Sequence, residues 1–463
     1  MRQEKQMQLE RSMKSRHLYM LSIGGVIGTG LFLNTGYIIN QSGYGGALLA
    51  FLFGGLLLYL VMTCLGELAV RMPETGAFQV YASKYIGPAS GFTVGWVYWL
   101  GSATTAGVEF TAAGMLMKRW FPHTGVWIWC AIFIALLFLL NALTTKGFAE
   151  AEYWFAGIKV VAVILFIIIG CGAIFGWIHM DGRAAPFLSH FTAGNLFPAG
   201  ISIVFVTMMN VVFSYQGSEL IGIAAGESEN PEKHIPKAIR NVLVRIFVFY
   251  IASVVILSAI FPAKELGVLQ SPFVSLFDMV GIPFAADIMN FVILTALLSV
   301  GNSCLYASTR LLWSLSHSGM APKVFGKLSK RGVPMASLIL TMIFSLLSLL
   351  TSVYAADTVY IALSSISGIA VTIAWMSIAL SQYNFRKQFL REGGKVSDLK
   401  FATPLYPFLP ILCLILCTVF LIFPAFDAAQ RASLFYGLGF VVVCYIYYYF
   451  QYGRKKKRVS NDN

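Results

Sequence analysis

Apolar residues run through this chain in long blocks, each close to the roughly 20 residues that carry a helix across about 30 Å of hydrocarbon. Windows of that length predict helices over residues 18–39, 45–69, 91–117, 125–144, 153–177, 198–223, 241–262, 284–314, 334–353, 357–382, 405–425 and 431–451. Unbroken runs such as Leu52–Val61 exclude a transmembrane β-barrel, whose strands alternate over about ten residues. The pattern predicts an all-α membrane protein of twelve transmembrane helices. The intervening polar segments divide it into a tail over 1–17, a ten-helix core over 18–382, a loop over 383–404, helices 11 and 12 over 405–451, and a tail over 452–463. Met1 to His17 is polar and basic, so no cleavable signal peptide is expected and the first span acts as its own insertion signal.

Composition agrees. Of 463 residues, 58% are hydrophobic and 11% charged, whereas soluble domains carry about 25% charged residues. Charge then orients the chain. With twelve spans both termini share a side, and that side carries 27 of the 33 lysines and arginines, against five on the other and Lys159 inside a span. Positive loops stay in the cytoplasm, which predicts a plasma-membrane protein with both termini inside. The net charge of +13 is accounted for by topology and anionic lipid, so no nucleic-acid partner is expected. Arg454–Arg458 reads as an anchor at the membrane surface. The seven cysteines all lie in or at the edge of spans without a C-x-x-C pair, and no metal or cofactor is expected.

The chemistry sits where helices are interrupted. Ser22-Ile-Gly-Gly-Val-Ile-Gly-Thr-Gly30 places four glycines at mid-membrane depth, and Ser214–Glu219 interrupts the sixth span with polar residues, a glycine and a carboxylate. Non-helical backbone at that depth persists where it lines a cavity or is buried in protein. Close packing through Gly24 and Gly28 is the alternative for the first span alone. The first and sixth spans open successive sets of five, and paired interruptions of this kind point to a secondary transporter built from inverted repeats. The repeats would cover 18–177 and 198–382, with helices 11 and 12 outside them.

Several segments resemble the amino acid–polyamine–organocation superfamily. Gly25-Val-Ile-Gly-Thr-Gly-Leu-Phe32 is similar to its first-helix signature, and Gly66-Glu-Leu-Ala-Val-Arg-Met-Pro-Glu-Thr-Gly-Ala-Phe78 to its loop after helix two. Phe213-Ser-Tyr-Gln-Gly-Ser-Glu219 with Gly226-Glu-Ser-Glu-Asn-Pro231 resembles the broken sixth helix of bacterial amino acid permeases. Ala285-Asp-Ile-Met-Asn-Phe-Val-Ile-Leu294 and Thr403-Pro-Leu-Tyr-Pro407 extend the likeness over nearly the whole chain. The permeases most alike are those for arginine/ornithine and for S-methylmethionine. The resemblance implies a LeuT-like five-plus-five fold, a substrate at the helix breaks, and coupling to protons.

On that basis the substrate carboxylate is expected on the N–H groups of Gly28, Thr29 and Gly30, and its ammonium near the carbonyls of Ile23, Phe213 and Ser214. Phe213 and Tyr215 either gate the cavity or simply pack. In related permeases a lysine on helix five replaces a sodium ion. Lys159 would by resemblance reach carbonyls near Gly24 and polar groups among Ser299, Asn302 and Ser303. Burial disfavours the charged ammonium, so Lys159 could exchange a proton; a lysine snorkelling to the interface is the alternative. Glu219 can reach either the substrate or a proton path. Glu109, in mid-span, is either a counter-charge to a cationic side chain or a structural hydrogen-bonded acid. Glu227 and Glu229 read as surface partners of Lys233 and Lys237.

The sequence therefore predicts a proton-coupled amino acid symporter favouring a cationic substrate. A neutral or aromatic substrate such as threonine or histidine, or an exchanger or sensor on the same fold, remains open. No Walker loop, H-E-x-x-H pair or G-x-S-x-G elbow occurs, which argues against an enzyme.

Overall fold

The computed structural model describes residues 26–143, 146–180, 185–226, 228 and 230–453, and among them it contains helices and no β-strand. In chain order the α-helices are α1 Thr29–Phe32, α2 Asn34–Arg71, α3 Phe78–Tyr85, α4 Pro88–Met117, α5 Val126–Leu143, α6 Lys146–Ile174, α7 Ala193–Leu196, α8 Ile203–Val206 and α9 Met208–Ser214. They continue with α10 Leu220–Ala225, α11 Pro231–Arg245, α12 Ala252–Ile260, α13 Pro272–Val280, α14 Ala285–His317, α15 Met335–Ser345, α16 Ala356–Arg391, α17 Phe408–Ile422 and α18 Ala428–Tyr448.

Among the described residues, eight helical segments are long and apolar enough to cross a membrane. The shortfall against the twelve predicted spans has local causes. The sixth span is divided into α8, α9 and α10, and the described part of the first contains the four-residue α1. The apolar part of α5, Val126–Ala142, falls just short in length. Helix α4 has 30 residues but is rich in serine, threonine and glycine.

Helix starts follow ordinary capping chemistry. α4, α11 and α13 each carry proline in the first turn, where its missing N–H costs nothing. α13 ends at Gly281, whose φ of 68° suits glycine. Gly43, at φ 73°, turns the chain inside α2 between the first two predicted spans. Two predicted boundaries were too short. The seventh span starts at Pro231 rather than 241, because the Asn230-Pro231 start initiates an amphipathic turn that hydropathy alone misses. The tenth runs to Arg391 rather than 382.

Helix α4 runs through the middle of the bundle, packed on α3, α5, α14, α16 and α18. Small residues permit the approach: a Cβ on Gly101 would lie 2.5 Å from the Cβ of Ala370. Large apolar side chains are left exposed along α5, α6 and α18, including Leu139, Ile168 and Val443, as lipid-facing surfaces require. All described cysteines are free thiols.

One buried ionic hub joins distant parts of the chain. Glu67, at the end of α2, is fully buried and accepts from Arg386 Nε at 2.7 Å, from Arg386 Nη2, from Gln382 Nε2 at 3.1 Å and from the backbone N–H of Thr403 at 2.6 Å. The Arg386 guanidinium lies 5.4 Å from the Tyr406 ring.

Candidate functional site

The chain is non-helical at Val26–Gly28 and enters α1 at Thr29, and it unwinds again over Tyr215–Glu219 between α9 and α10. The two breaks meet. A Cβ on Gly30 would lie 2.4 Å from Ser214 Cα, so only glycine lets α1 touch the end of α9. Tyr250 donates its hydroxyl hydrogen towards two carbonyls, Ser214 O at 2.7 Å and Val26 O at 3.3 Å. Asn34 Nδ2 donates to Ser214 Oγ at 2.9 Å and to Asn210 O at 2.7 Å. Tyr250 reaches this point from a π-helical turn, Ile246–Ile251, between α11 and α12. Such turns are frequent at functional sites.

Glu109 on α4 occupies the start of α1. Its carboxylate accepts the Thr29 hydroxyl at 2.8 Å and the Thr29 backbone N–H at 3.4 Å. That N–H is one of the three expected to receive a substrate carboxylate. A Cβ on Gly28 would approach the same carboxylate at 3.0 Å and Val300 Cγ2 at 2.9 Å. Gly28 thus faces Glu109, whereas Gly30 faces Ser214 rather than an open cavity. Phe213 is buried. Ile23 and Gly24 lie outside the described residues, as do Glu227 and Glu229.

Side chains of the unwound segment are tied to other helices. Tyr215 donates to Phe51 O at 2.9 Å. Gln216 Oε1 accepts from Thr105 Oγ1 at 3.0 Å and from Ser367 Oγ at 2.7 Å. Gly217 adopts φ 94°. Ser218 Oγ accepts from Arg245 Nη2 at 2.5 Å. Glu219 is fully buried and accepts from the Tyr98 hydroxyl at 2.7 Å, from Gly217 N–H at 3.2 Å and from Trp375 Nε1 at 3.3 Å. An unwound turn survives in this setting because its polar groups find partners across helices.

Lys159 is fully buried on α6. Its Nζ donates to Ser299 Oγ at 2.9 Å and lies 3.6 Å from Glu152 Oε1, while Ser299 Oγ donates to Glu152 at 2.6 Å. Of the polar groups on α14 among which a partner is expected, Ser299 is the one that Lys159 meets. Asn302 pairs with Asn141 Nδ2 at 2.6 Å instead, and the Ser303 hydroxyl has no partner among the described residues.

Two functional candidates escaped the sequence reading. Glu152 lies two helical turns before Lys159 on the same face, a spacing visible in the sequence, but the predicted span began one residue after it. Arg245, counted among the cytoplasmic charges, is buried against the sixth-span break, because α11 enters the protein earlier than hydropathy indicates. Among the described residues no group of histidine, cysteine, aspartate and glutamate could hold a metal.

Broken helices that meet inside an all-helical bundle, beside a buried lysine–glutamate pair, define an integral membrane transporter. The sequence model of the amino acid permease family matches residues 17–461, and the chain belongs to that family. It is 56% identical over 443 residues to amino-acid permease RocE of Bacillus subtilis (strain 168), covering 96% of this chain and 95% of that one. It is 44% identical over 438 residues to lysine-specific permease LysP of Escherichia coli (strain K12), covering 93% and 89%. It is also 41% identical over 421 residues to histidine permease HisP of Lactococcus lactis subsp. cremoris (strain MG1363), covering 89% and 88%. These relatives are transporters rather than enzymes, and the function of this chain is amino acid transport across a membrane.

Proposed function

We propose that the protein is a proton-coupled importer of a cationic α-amino acid, built as twelve spans in a LeuT-like five-plus-five arrangement with both termini in the cytoplasm. The observation that carries the reading is the meeting of the two breaks, with the N–H of Thr29 held by Glu109 and the carbonyls of Val26 and Ser214 held by Tyr250. An α-amino acid carries one group of each sign. Its carboxylate would replace Glu109 on Thr29, and its ammonium would replace the Tyr250 hydroxyl on the two carbonyls. Each exchange keeps the Thr29 N–H and the two carbonyls satisfied. Gly28 keeps the approach past Glu109 free of a side chain, and Gly30 lets the two breaks touch.

Glu109, released from Thr29, is then available to a cationic side chain. Glu219 is the second buried carboxylate of the neighbourhood, and it serves the substrate or the proton path. Lys159, with Glu152 and Ser299, takes the place of a bound cation and exchanges the coupling proton. A lysine-specific relative supports a cationic substrate. A histidine permease among the relatives keeps that aromatic amino acid as the competing substrate.

The test is uptake by proteoliposomes holding the purified chain. An imposed inward proton gradient should drive accumulation of labelled arginine, a protonophore should abolish it, and exchange of sodium for choline should leave it unchanged. Competition by unlabelled amino acids then ranks the substrates. Strict sodium dependence overturns the coupling, and stronger competition by threonine or histidine than by arginine, ornithine or lysine overturns the substrate class.

A further inference from the structure

Helix α11 continues through the π-helical turn Ile246–Ile251 into α12, and together they form one segment long and apolar enough to cross a membrane. Its inner face is buried through Ile235, Ala238, Ile239 and Val242. Ile239 sits so close to α2 that a Cβ on Gly66 would lie 2.2 Å from its Cδ1. The other face is exposed, and steps of four and three residues set Lys233, Lys237, Arg240, Val244 and Phe247 in one stripe along it. The first three are cations. The last two are apolar, with Val244 61% and Phe247 56% exposed.

The change from charged to apolar falls within one helical turn, between Arg240 and Val244. At about 1.5 Å of rise per residue, Lys233 lies about 10 Å from Arg240 along the axis, and Arg240 about 10 Å from Phe247. A solvated basic face has no need of the apolar half, and a lipid-facing surface has no need of the cations. The two in one line match a molecule with an anionic head and a hydrocarbon chain. Nearby acids do not neutralise the stripe: Glu232 is ion-paired with Lys400, and among the described residues Lys233 and Arg240 have no carboxylate partner. Clusters of lysine and arginine beside a span attract anionic lipid for this reason.

We propose that this stripe binds one anionic phospholipid, with the phosphate at Lys233, Lys237 and Arg240 and an acyl chain along Val244 and Phe247, and that the bound lipid supports transport. The link to transport is the inner side of the same segment. Arg245 Nη2 donates to Ser218 Oγ in the sixth-span break, and Tyr250 donates to Ser214 O and Val26 O. A lipid seated on the outer face holds α11 against α2 and, through Arg245 and Tyr250, steadies the backbone at both breaks. The lipid site stands on the stripe itself; only its effect on uptake rests on the reading given under Proposed function.

Native mass spectrometry of the purified chain, titrated with phosphatidylglycerol or phosphatidylcholine, tests the site. The wild type should retain one phosphatidylglycerol in preference to phosphatidylcholine. Lys233→Gln/Arg240→Gln should weaken that retention about 25-fold, or about fivefold for each cation removed. Lys323→Gln/Lys327→Gln, which removes two exposed cations elsewhere on the chain, should leave it unchanged. Phe247→Ser keeps every charge and should weaken retention as well. Equal retention of the two lipids, equal effects of the two double variants, or full retention in Phe247→Ser overturns the site. Displacement by millimolar inorganic phosphate, beyond that by chloride at the same ionic strength, overturns the lipid as occupant. In proteoliposomes phosphatidylglycerol should raise uptake of labelled arginine by the wild type and not by Lys233→Gln/Arg240→Gln; an equal rise in both overturns the effect on transport. A wild type that takes up no arginine in any lipid refutes the substrate reading, while retention still decides the lipid site.

Discussion

Substitution of the buried Lys159–Glu152 pair separates a charge that holds the fold from a charge that couples transport. Lys159 and Glu152 are both buried, 3.6 Å apart, and share Ser299 as a hydrogen-bonding bridge. Lys159→Met removes the cation and leaves Glu152 without its counter-charge. Breaking a buried pair from one side costs about 3–5 kcal/mol, because the remaining ion has neither water nor a partner. Glu152 keeps the Ser299 hydroxyl, a bond already present in the wild type, so the loss expected is the full cost of about 3–5 kcal/mol. Glu152→Gln removes a counter-charge of Lys159. In the double variant Lys159→Met/Glu152→Gln no charge is left, and replacement of a buried pair by neutral side chains is often close to neutral. Thermal unfolding in detergent should therefore place both single variants below the wild type and the double variant between them and it. Accumulation of arginine under an imposed proton gradient should be lost in Lys159→Met and stay lost in the double variant, while counterflow exchange, which needs no coupling ion, persists. A double variant that regains both stability and gradient-driven accumulation would refute a coupling role and leave the pair as structure.

Three further outcomes follow from the break region. Gly30→Ala sets a Cβ against Ser214 backbone at 2.4 Å, and Gly222→Ala meets only the flexible end of Leu65 at 3.0 Å. Gly30→Ala should abolish substrate binding, at an overpacking cost of about 1–3 kcal/mol, while Gly222→Ala retains binding measured in the same scintillation assay. Gly28→Val should lose the central site with membrane expression intact; a fall in expression alone would make the glycine a packing residue. Glu109→Gln keeps the Thr29 contacts in shape and removes the charge. It should weaken arginine binding about tenfold, or roughly 1.4 kcal/mol, with neutral amino acids affected much less, and equal losses for both would refute a counter-charge role.

The breaks were legible in the sequence because glycine and polar residues stand out against twenty apolar neighbours, and Lys159, Glu109 and Glu219 were legible for the same reason. Partners were harder to read. Glu152 shares a face with Lys159, yet it sits at the rim of an apolar window, where hydropathy places a surface charge. Arg245 was placed in the cytoplasm because the amphipathic start of α11 lowers the local hydropathy, although the structure buries the guanidinium on Ser218. Tyr250 gave no signal: an aromatic in a span is ordinary, and only the π-turn aims it at Ser214 and Val26. Glu67 was noted within a motif without a role, since its partner Arg386 lies 319 residues away. Periodicity reports which face of a helix is buried and carries no information about what it meets.

The Glu67 hub also sets how the molecule can open. Four donors from α16 and the segment before α17 converge on one carboxylate at the end of α2, and none of them can reach water without exposing the others. Separating α2 from α16 at this point would break these hydrogen bonds together, so the two helix ends are expected to move as one body.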